Sequence, residues 1–129
     1  MDKNPGIAVE IQNIDETKDL SFCVREAYSW LESPNIIGKD KPGEKVALTG
    51  NGSVARGIVE AGVKVMSHYP GFPTEAIADL VAFCAEDHGI YMECSVNEKV
   101  AFEVAAAAAM SGVRSATLMK DVGLNVAMD

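Results

Sequence analysis

From residue 46 onward, short apolar segments alternate with longer segments of helical periodicity, and this alternation constrains the fold more than any other feature. Strand-like segments that alternate with helices of about 10 to 15 residues are typical of parallel strands joined by right-handed crossovers. The sequence therefore predicts an α/β fold, with an open, mainly parallel sheet and helices on both faces. We expect this domain to occupy residues 46–129 and to be partial, because its last strand–helix unit is short.

Four strands are predicted, each followed by a helix. Thr74 and Asn97 are expected to cap two of these helices, because their side-chain oxygens accept hydrogen bonds from free N–H groups of a first turn. Gly62, Gly89 and Gly112 are expected to end helices. The predicted strand segments are KVALTG (45–50), VKVMSHY (63–69), IYMECSV (90–96) and VRSATLM (113–119).

Residues 1–45 differ from this pattern, since they combine frequent charges with prolines and glycines. We expect an extension here, with one amphipathic helix over about residues 17–31 that docks by its Trp30 side. Its apolar stripe consists of Leu20, Val24, Ala27 and Leu31.

The charge and the cysteines limit the possible partners. A net charge of -8 and a pI near 4.7 argue against nucleic acid and anionic membrane surfaces, which are themselves negative. No secretory signal and no apolar run of about 18 to 20 residues is present, so a cytoplasmic protein without a membrane span is expected. Cys23, Cys84 and Cys94 form no C-x-x-C pair, which predicts reduced thiols rather than disulfides or an iron–sulfur site.

Glu98 is the main candidate for chemistry. In open α/β sheets, ligands bind beyond the carboxyl ends of the strands. Glu98 follows the third predicted strand, in the first turn of a helix and beside Val96 and Val100. On position alone the carboxylate could equally serve only the helix dipole, which is worth typically about 0.3 to 1 kcal/mol.

The turn Tyr69–Pro73 is the second candidate. Two prolines fix its backbone, and Gly71 would let a ligand approach the main chain closely. Such turns also occur without any function, so its position at the carboxyl end of a predicted strand is what favours a binding loop.

Two other patterns indicate no site. Gly50–Gly52 matches no nucleotide-binding motif and is expected to be a strand-to-helix turn, with a supporting role around a cofactor as the alternative. His68 and His88 lack the spacing of a helical metal pair, so no metal ligand is predicted in this chain.

The stretches GNGSVARGIVEAGVKVMSHYPGFPTEAI and GIYMECSVNEKVAFEVAAAAAMSGVRSATLMKDVGLNVAMD make the sequence recognisable. They closely resemble the amino-terminal part of the alpha subunits of indolepyruvate:ferredoxin oxidoreductases, within the 2-oxoacid:ferredoxin oxidoreductase family. The resemblance covers about residues 46–129 and four loops in the same order. It implies a thiamine-diphosphate-binding fold of the pyrimidine type, present here only in part.

The resemblance also implies roles for individual residues. Glu98 matches the family's acid that hydrogen-bonds a ring nitrogen of the cofactor's aminopyrimidine and takes part in acid–base catalysis. Phe72 stands where the family's Y-P-G-T-P turn has a threonine facing the substrate, so a substrate contact is either changed or lost. Asp121 replaces a frequent histidine. The implied cofactor-binding residues are Tyr69, Pro70, Gly71, Glu98, Lys120, Gly123 and Asn125.

The implied activity is oxidative decarboxylation of a 2-oxoacid, of an aromatic, indolepyruvate-like kind or another, to acyl-CoA. The family's G-D-G motif for diphosphate and Mg²⁺ is missing from the sequence, so we expect a diphosphate-binding partner to share the cofactor. Iron–sulfur clusters are expected on an iron–sulfur subunit, with ferredoxin or another acceptor taking the electrons. Two alternatives stay open, namely a non-catalytic interaction subunit and half of a non-oxidative 2-oxoacid decarboxylase.

Overall fold

The structure, a computed structural model, describes residues 34–128. The predicted helix over residues 17–31 and Cys23 lie outside this range. Helices and strands alternate along the described chain. In chain order they are α1 (Pro34–Ile37), α2 (Gly50–Glu60), β1 (Val65–His68), α3 (Glu75–Ala85), β2 (Tyr91–Cys94), α4 (Glu98–Met110), β3 (Ser115–Leu118) and α5 (Gly123–Ala127).

The strands form one parallel sheet in the order β2-β1-β3. Met66 of β1 is in register with Met92 of β2 on one side and Ala116 of β3 on the other. The crossovers pass through α3 and α4. This arrangement confirms the predicted α/β class with an open parallel sheet.

Neighbouring residues of β1 show that helices cover both faces, because successive side chains of a strand point to opposite sides. Met66 is 0% exposed and belongs to the core that α2 and α3 share. Ser67 is also 0% exposed, but its hydroxyl donates to the carbonyl of Ala101 in α4, at 2.5 Å. Because Met66 faces α2 and α3 while Ser67 faces α4, helices cover both faces of the sheet, as predicted.

The core lies between the sheet and the helices α1, α2 and α3. Ile37 of α1 is fully buried in it, although it falls within the predicted extension, so the packed region begins before residue 46. Arg56 holds α1 in place by donating to the carbonyls of Ile36 and Ile37, both at 3.1 Å. The buried core residues are Ile37, Ala55, Val63, Met66, Ile77, Ala78, Leu80, Val81, Cys84, Ala85 and Ile90.

The prediction of the first strand is wrong. Residues 45–49 form no strand, and α2 already begins at Gly50. The Thr49 hydroxyl accepts from the Gly52 N–H at 3.1 Å, and this N-cap draws the predicted Gly50–Gly52 turn into the helix. The other three predicted strands are confirmed with shorter bounds.

The helix ends follow the predictions with one exception. The Asn97 side chain accepts from the Val100 N–H at 2.9 Å and caps α4. Gly62, Gly89 and Gly112 have positive φ after α2, α3 and α4, and end them as expected. Thr74 does not cap α3, because its hydroxyl donates to the Gly71 carbonyl instead, at 2.8 Å. Within residues 34–128, no helix is long and apolar enough to span a membrane.

Candidate active site

The strand order brings three loops together at the carboxyl edge of the sheet. Since β1 pairs with β2 on one side and β3 on the other, the turn that follows β1, the segment that leads into α4 and the loop that leads into α5 all begin at this edge. The backbone N–H of Tyr69 donates to the Leu118 carbonyl at 3.1 Å, and that of Ser95 donates to the His68 carbonyl at 2.8 Å. The three strand ends are therefore tied to one another where the loops begin.

Glu98 is the first residue of α4, and its backbone is fixed from two sides. The Asn97 cap sets the first turn of the helix, and the hydroxyl of Ser67 holds the carbonyl of Ala101 one turn later. The Glu98 side chain is half-buried. Its carboxylate makes no hydrogen bond and no ion pair to any other residue of the described chain. The carboxylate therefore extends from a fixed stretch of backbone and has no partner among the described residues.

Gly123, the first residue of α5, lies directly against this carboxylate. A Cβ atom at position 123 would stand only 2.5 Å from Cγ and 2.6 Å from Oε1 of Glu98. Gly123 is buried, while the flanking Val122 and Leu124 are exposed. The glycine therefore provides the space that the Glu98 side chain occupies.

Gly71 makes a similar contact in the turn after β1. A Cβ atom there would stand 2.8 Å from Cβ of Lys120. The turn is held by the Thr74 hydroxyl, which donates to the Gly71 carbonyl, and by the Asn51 side chain, which donates to the Pro73 carbonyl at 3.3 Å. The loop after β3 thus packs between the turn on one side and α4 on the other.

The structure brings together four of the residues predicted for the site, in the pairs Glu98–Gly123 and Gly71–Lys120. The remaining ones, Tyr69, Pro70, Phe72 and Asn125, are exposed to solvent, and Lys120 is exposed as well.

Exposed apolar residues occur in each of the segments that meet at this edge. Phe72 is 82% exposed at the tip of the turn, and Val96 is 79% exposed just before α4. Val122 is exposed beside Gly123, whereas Val100 is half-buried behind Glu98. A carboxylate with apolar neighbours suits a flat, partly apolar ligand that also carries hydrogen-bonding groups.

Glu93 shows by contrast what a satisfied carboxylate looks like in this molecule. It accepts from the hydroxyl of Ser95 at 2.7 Å and from that of Tyr91 at 2.9 Å. These two hydrogen bonds, the one from Ser95 first, hold the pKa of Glu93 below its usual value. The oxygens of Glu93 are thus engaged, whereas those of Glu98 remain available for a ligand.

Titratable groups also gather on the core side of β1. Burial lowers the pKa of His68, and the neighbouring charge of Glu75 opposes this shift. Burial and then the charge of Glu75 raise the pKa of Asp79 to about 6. Among the described residues, no group of three or more His, Cys, Asp or Glu side chains could hold a metal ion.

The sequence did not reveal two residues near the site. Asn51 is 22 positions from the carbonyl that it binds, so only the fold shows this contact. Thr117 is in register with Ser67 and carries the one buried side-chain oxygen of the described chain without a hydrogen-bond partner. A threonine in a strand is common, so no sequence signal identifies it.

Comparisons with known proteins identify relatives of one kind. The chain is 55% identical over 95 residues to the indolepyruvate oxidoreductase subunit IorA of Thermococcus kodakarensis, which covers 74% of this chain and 15% of that protein. The subunit IorA of Pyrococcus horikoshii is 53% identical over the same shares. That of Methanothermobacter thermautotrophicus is 55% identical over 99 residues, 77% of this chain and 16% of the relative.

The chain spans about 15% of the length of the relatives that it matches. No protein-family model matches it, and no solved structure matches it. With more than half of the aligned residues identical over three quarters of its length, the chain belongs to the 2-oxoacid:ferredoxin oxidoreductase family, in which the indolepyruvate oxidoreductase IorA subunits are its relatives.

Proposed function

We propose that this chain supplies the pyrimidine-side half of a thiamine-diphosphate site in a 2-oxoacid:ferredoxin oxidoreductase, and that it is not active alone. One observation carries the proposal. The carboxylate of Glu98 extends from the capped first turn of α4 at the carboxyl edge of the sheet, without a partner in the described chain, and the loops around it are those that match the family.

The residues at this edge fit an aminopyrimidine ring. Such a ring is flat, has apolar faces and carries ring nitrogens that need hydrogen-bonding partners. The apolar side chains of Val96 and Val122 would lie beside its faces, and the Glu98 carboxyl group would share a proton with a ring nitrogen. Gly71 would contribute main-chain atoms to the site, while Lys120 fills the space beside its Cα atom. Tyr69, Pro70, Lys120 and Asn125 would complete the contacts.

Thiamine diphosphate, when bound, would supply the electron sink for decarboxylation of a 2-oxoacid. The part of this chain is to orient the pyrimidine and to hold a proton between its ring nitrogen and Oε1 or Oε2 of Glu98. General acid–base assistance of this kind is worth roughly 10² to 10⁴ in rate. A further subunit or domain would cover the exposed edge and exclude water from the reacting atoms.

Partner chains would provide the other functions. We assign the diphosphate and Mg²⁺ to a diphosphate-binding subunit or domain, because the sequence lacks the corresponding motif. Iron–sulfur clusters on an iron–sulfur subunit would pass electrons to ferredoxin or another acceptor, and coenzyme A would receive the acyl group. A cytoplasmic location is part of the proposal and agrees with the acidic composition and with the free thiols of Cys84 and Cys94.

Phe72 is the residue that we assign to the substrate. It lies on a turn whose backbone is held by the Thr74–Gly71 hydrogen bond, and its ring projects into solvent at the edge that carries Glu98. An exposed aromatic ring on a stiff backbone can contact an apolar or aromatic oxoacid side chain at little entropic cost. An aromatic, indolepyruvate-like 2-oxoacid is therefore the proposed substrate.

Substitution of Glu98 by glutamine in the reconstituted complex tests the function. The glutamine side chain keeps the shape of the original but cannot exchange a proton in the same way, so turnover should fall at least about a hundredfold while the complex still assembles. Glu103→Gln is the matched control, since Glu103 is exposed on the same helix. Equal turnover of the Glu98→Gln complex and the unmodified complex would instead support a non-catalytic interaction subunit.

A further inference from the structure

We infer that Gly123 is a positioning residue for Glu98, and that its contribution is the absence of a side chain rather than a contact with the cofactor. This inference rests on the proposed role of Glu98. It differs from the role that the family resemblance implies for Gly123, which is direct binding of the cofactor. The glycine would act through the carboxylate that lies on it.

The space around Gly123 supports this assignment. Three atoms of Glu98, namely Cγ, Oε1 and Cδ, lie 2.5, 2.6 and 2.9 Å from the position that a Cβ atom of residue 123 would take. Separations below about 3 Å between such atoms are strongly repulsive, so an alanine would force the Glu98 side chain or α5 to move. Because the backbones of α4 and α5 are both held by neighbouring contacts, the carboxylate is the group that shifts.

Backbone conformation does not explain this glycine. Gly62, Gly89 and Gly112 have φ between 60° and 82°, a region that other residues rarely adopt. Gly123 has no such positive φ and is the first residue of a helix, where alanine would ordinarily be favoured. The close approach of Glu98 is therefore the physical reason for a glycine at this position.

The loop that carries Gly123 is itself held from the opposite side. Cβ of Lys120 lies 2.8 Å from the position of a Cβ atom on Gly71, and the Gly123 N–H donates to the Lys120 carbonyl at 2.9 Å. The turn after β1, the loop after β3 and the first turn of α4 thus pack in a row. Displacement of the loop cannot relieve a side chain at position 123 without moving the turn.

The first test measures the contact itself in the unmodified chain. The geometry predicts nuclear Overhauser effects between the α protons of Gly123 and the γ protons of Glu98. Gly123→Ala should abolish this arrangement and shift the Glu98 side-chain resonances, with circular dichroism confirming that the chain is folded. Absence of the Gly123–Glu98 effects in the folded, unmodified chain would overturn the inference, whatever the catalytic result.

The second test is a double-substitution cycle in the reconstituted complex. Gly123→Ala should lower turnover about a hundredfold, the size expected for a misplaced catalytic group, with the affinity for thiamine diphosphate changed less than about threefold. In a Glu98→Gln background, Gly123→Ala should have no further effect on turnover. Gly57→Ala is the control, because a Cβ atom at Gly57 would meet nothing within 4 Å.

The outcomes separate the two claims. If Glu98→Gln is harmful but Gly123→Ala is harmless, or if their effects multiply, Gly123 does not act through Glu98 and the inference fails alone. If Gly123→Ala mainly weakens thiamine diphosphate binding, the glycine contacts the cofactor instead. If Glu98→Gln has no effect on turnover, the proposed function fails, and the Gly123–Glu98 contact in the unmodified chain then describes packing only.

Discussion

The two faces of the sheet are built differently. On the face of Met66, the helices α1, α2 and α3 bury a continuous apolar core. On the face of Ser67, α4 packs mainly through Ala101 and Ala105, the only residues of that helix that are buried in the described chain. Serines of β1 and β3 reach its backbone, from Ser67 to Ala101 and from Ser115 to Ala105. One face is thus held by apolar volume, and the other by small residues and specific hydrogen bonds.

The helices of the second face also leave apolar surface uncovered. After Glu103, the residues of α4 are all apolar, and a helix that is apolar all round is normally buried. The exposed large apolar residues of α4 and α5, with the residue that follows α5, are Phe102, Met110, Leu124, Val126 and Met128.

This difference indicates that the two sides of the sheet have different roles. The chain completes the core side by itself, so that side can fix the strands and their carboxyl ends. The side of α4 and α5 carries Glu98 and Gly123 together with uncovered apolar helices. Such an arrangement agrees with a cofactor site that a second polypeptide completes, as proposed above.

Met66→Ala, on the face of the apolar core, should cause the largest loss of stability. Met66 is fully buried in the core, so its truncation should lower the free energy of unfolding by about 2 to 5 kcal/mol. Met110→Ala is the matched control, because Met110 is 89% exposed at the end of α4, and it should change stability by less than about 0.5 kcal/mol. Urea denaturation of both variants measures the difference. Similar losses of unfolding free energy in the two variants would contradict the difference in packing between the Met66 face and the α4 side.

Ser67→Ala, on the face that packs against α4, should cause a smaller loss of stability. The substitution removes the hydrogen bond to the Ala101 carbonyl but leaves little empty volume, so a loss of about 0.5 to 1.5 kcal/mol is expected. Ser53→Ala, at an exposed position of α2, should be close to neutral. Hydrogen exchange of α4 amides provides a second readout, because the first turn of α4 should become less protected. Unchanged stability and protection would show that Ser67 does not anchor α4.

Asp79→Asn should have the smallest effect, and one that depends on pH. Burial and Glu75 raise the pKa of Asp79 from 3.8 to about 6, so between these values the folded chain binds more protons than the unfolded chain. The Asp79 contribution therefore lowers stability as the pH rises through this window, and the loss levels off above the folded-state pKa. Since Asp79 is only half-buried, Asp79→Asn should gain at most about 1 kcal/mol at about pH 7 relative to its effect at about pH 4. A gain that is largest at the acidic end would contradict the sign.

Much of the fold can be predicted from the sequence because the signals are local. The Asn97 cap, the terminating glycines and three of the strands depend on residues close to one another in the chain. The first strand fails for the same reason, because the apolar segment 45–50 looks like a strand until the Thr49 cap and the lack of a pairing neighbour are known. Local signals also miss the burial of Ile37, whose carbonyl accepts a hydrogen bond from Arg56, 19 positions away.

The candidate site is a different case. Chain position and family resemblance indicate Glu98 and the surrounding loops, but not which loop touches which. The contact between Glu98 and Gly123 depends on the strand order, which sets the neighbours at the carboxyl edge. Roles are therefore predictable from sequence here, whereas the reason for a particular glycine requires the packed structure.

The most direct measurement is a density map of the assembled oxidoreductase with thiamine diphosphate bound. We expect a Glu98 carboxylate oxygen about 2.6 to 3.2 Å from a ring nitrogen of the pyrimidine, in a site closed by a further subunit or domain. A map that shows the bound cofactor elsewhere, with Glu98 facing only water, would contradict this expectation.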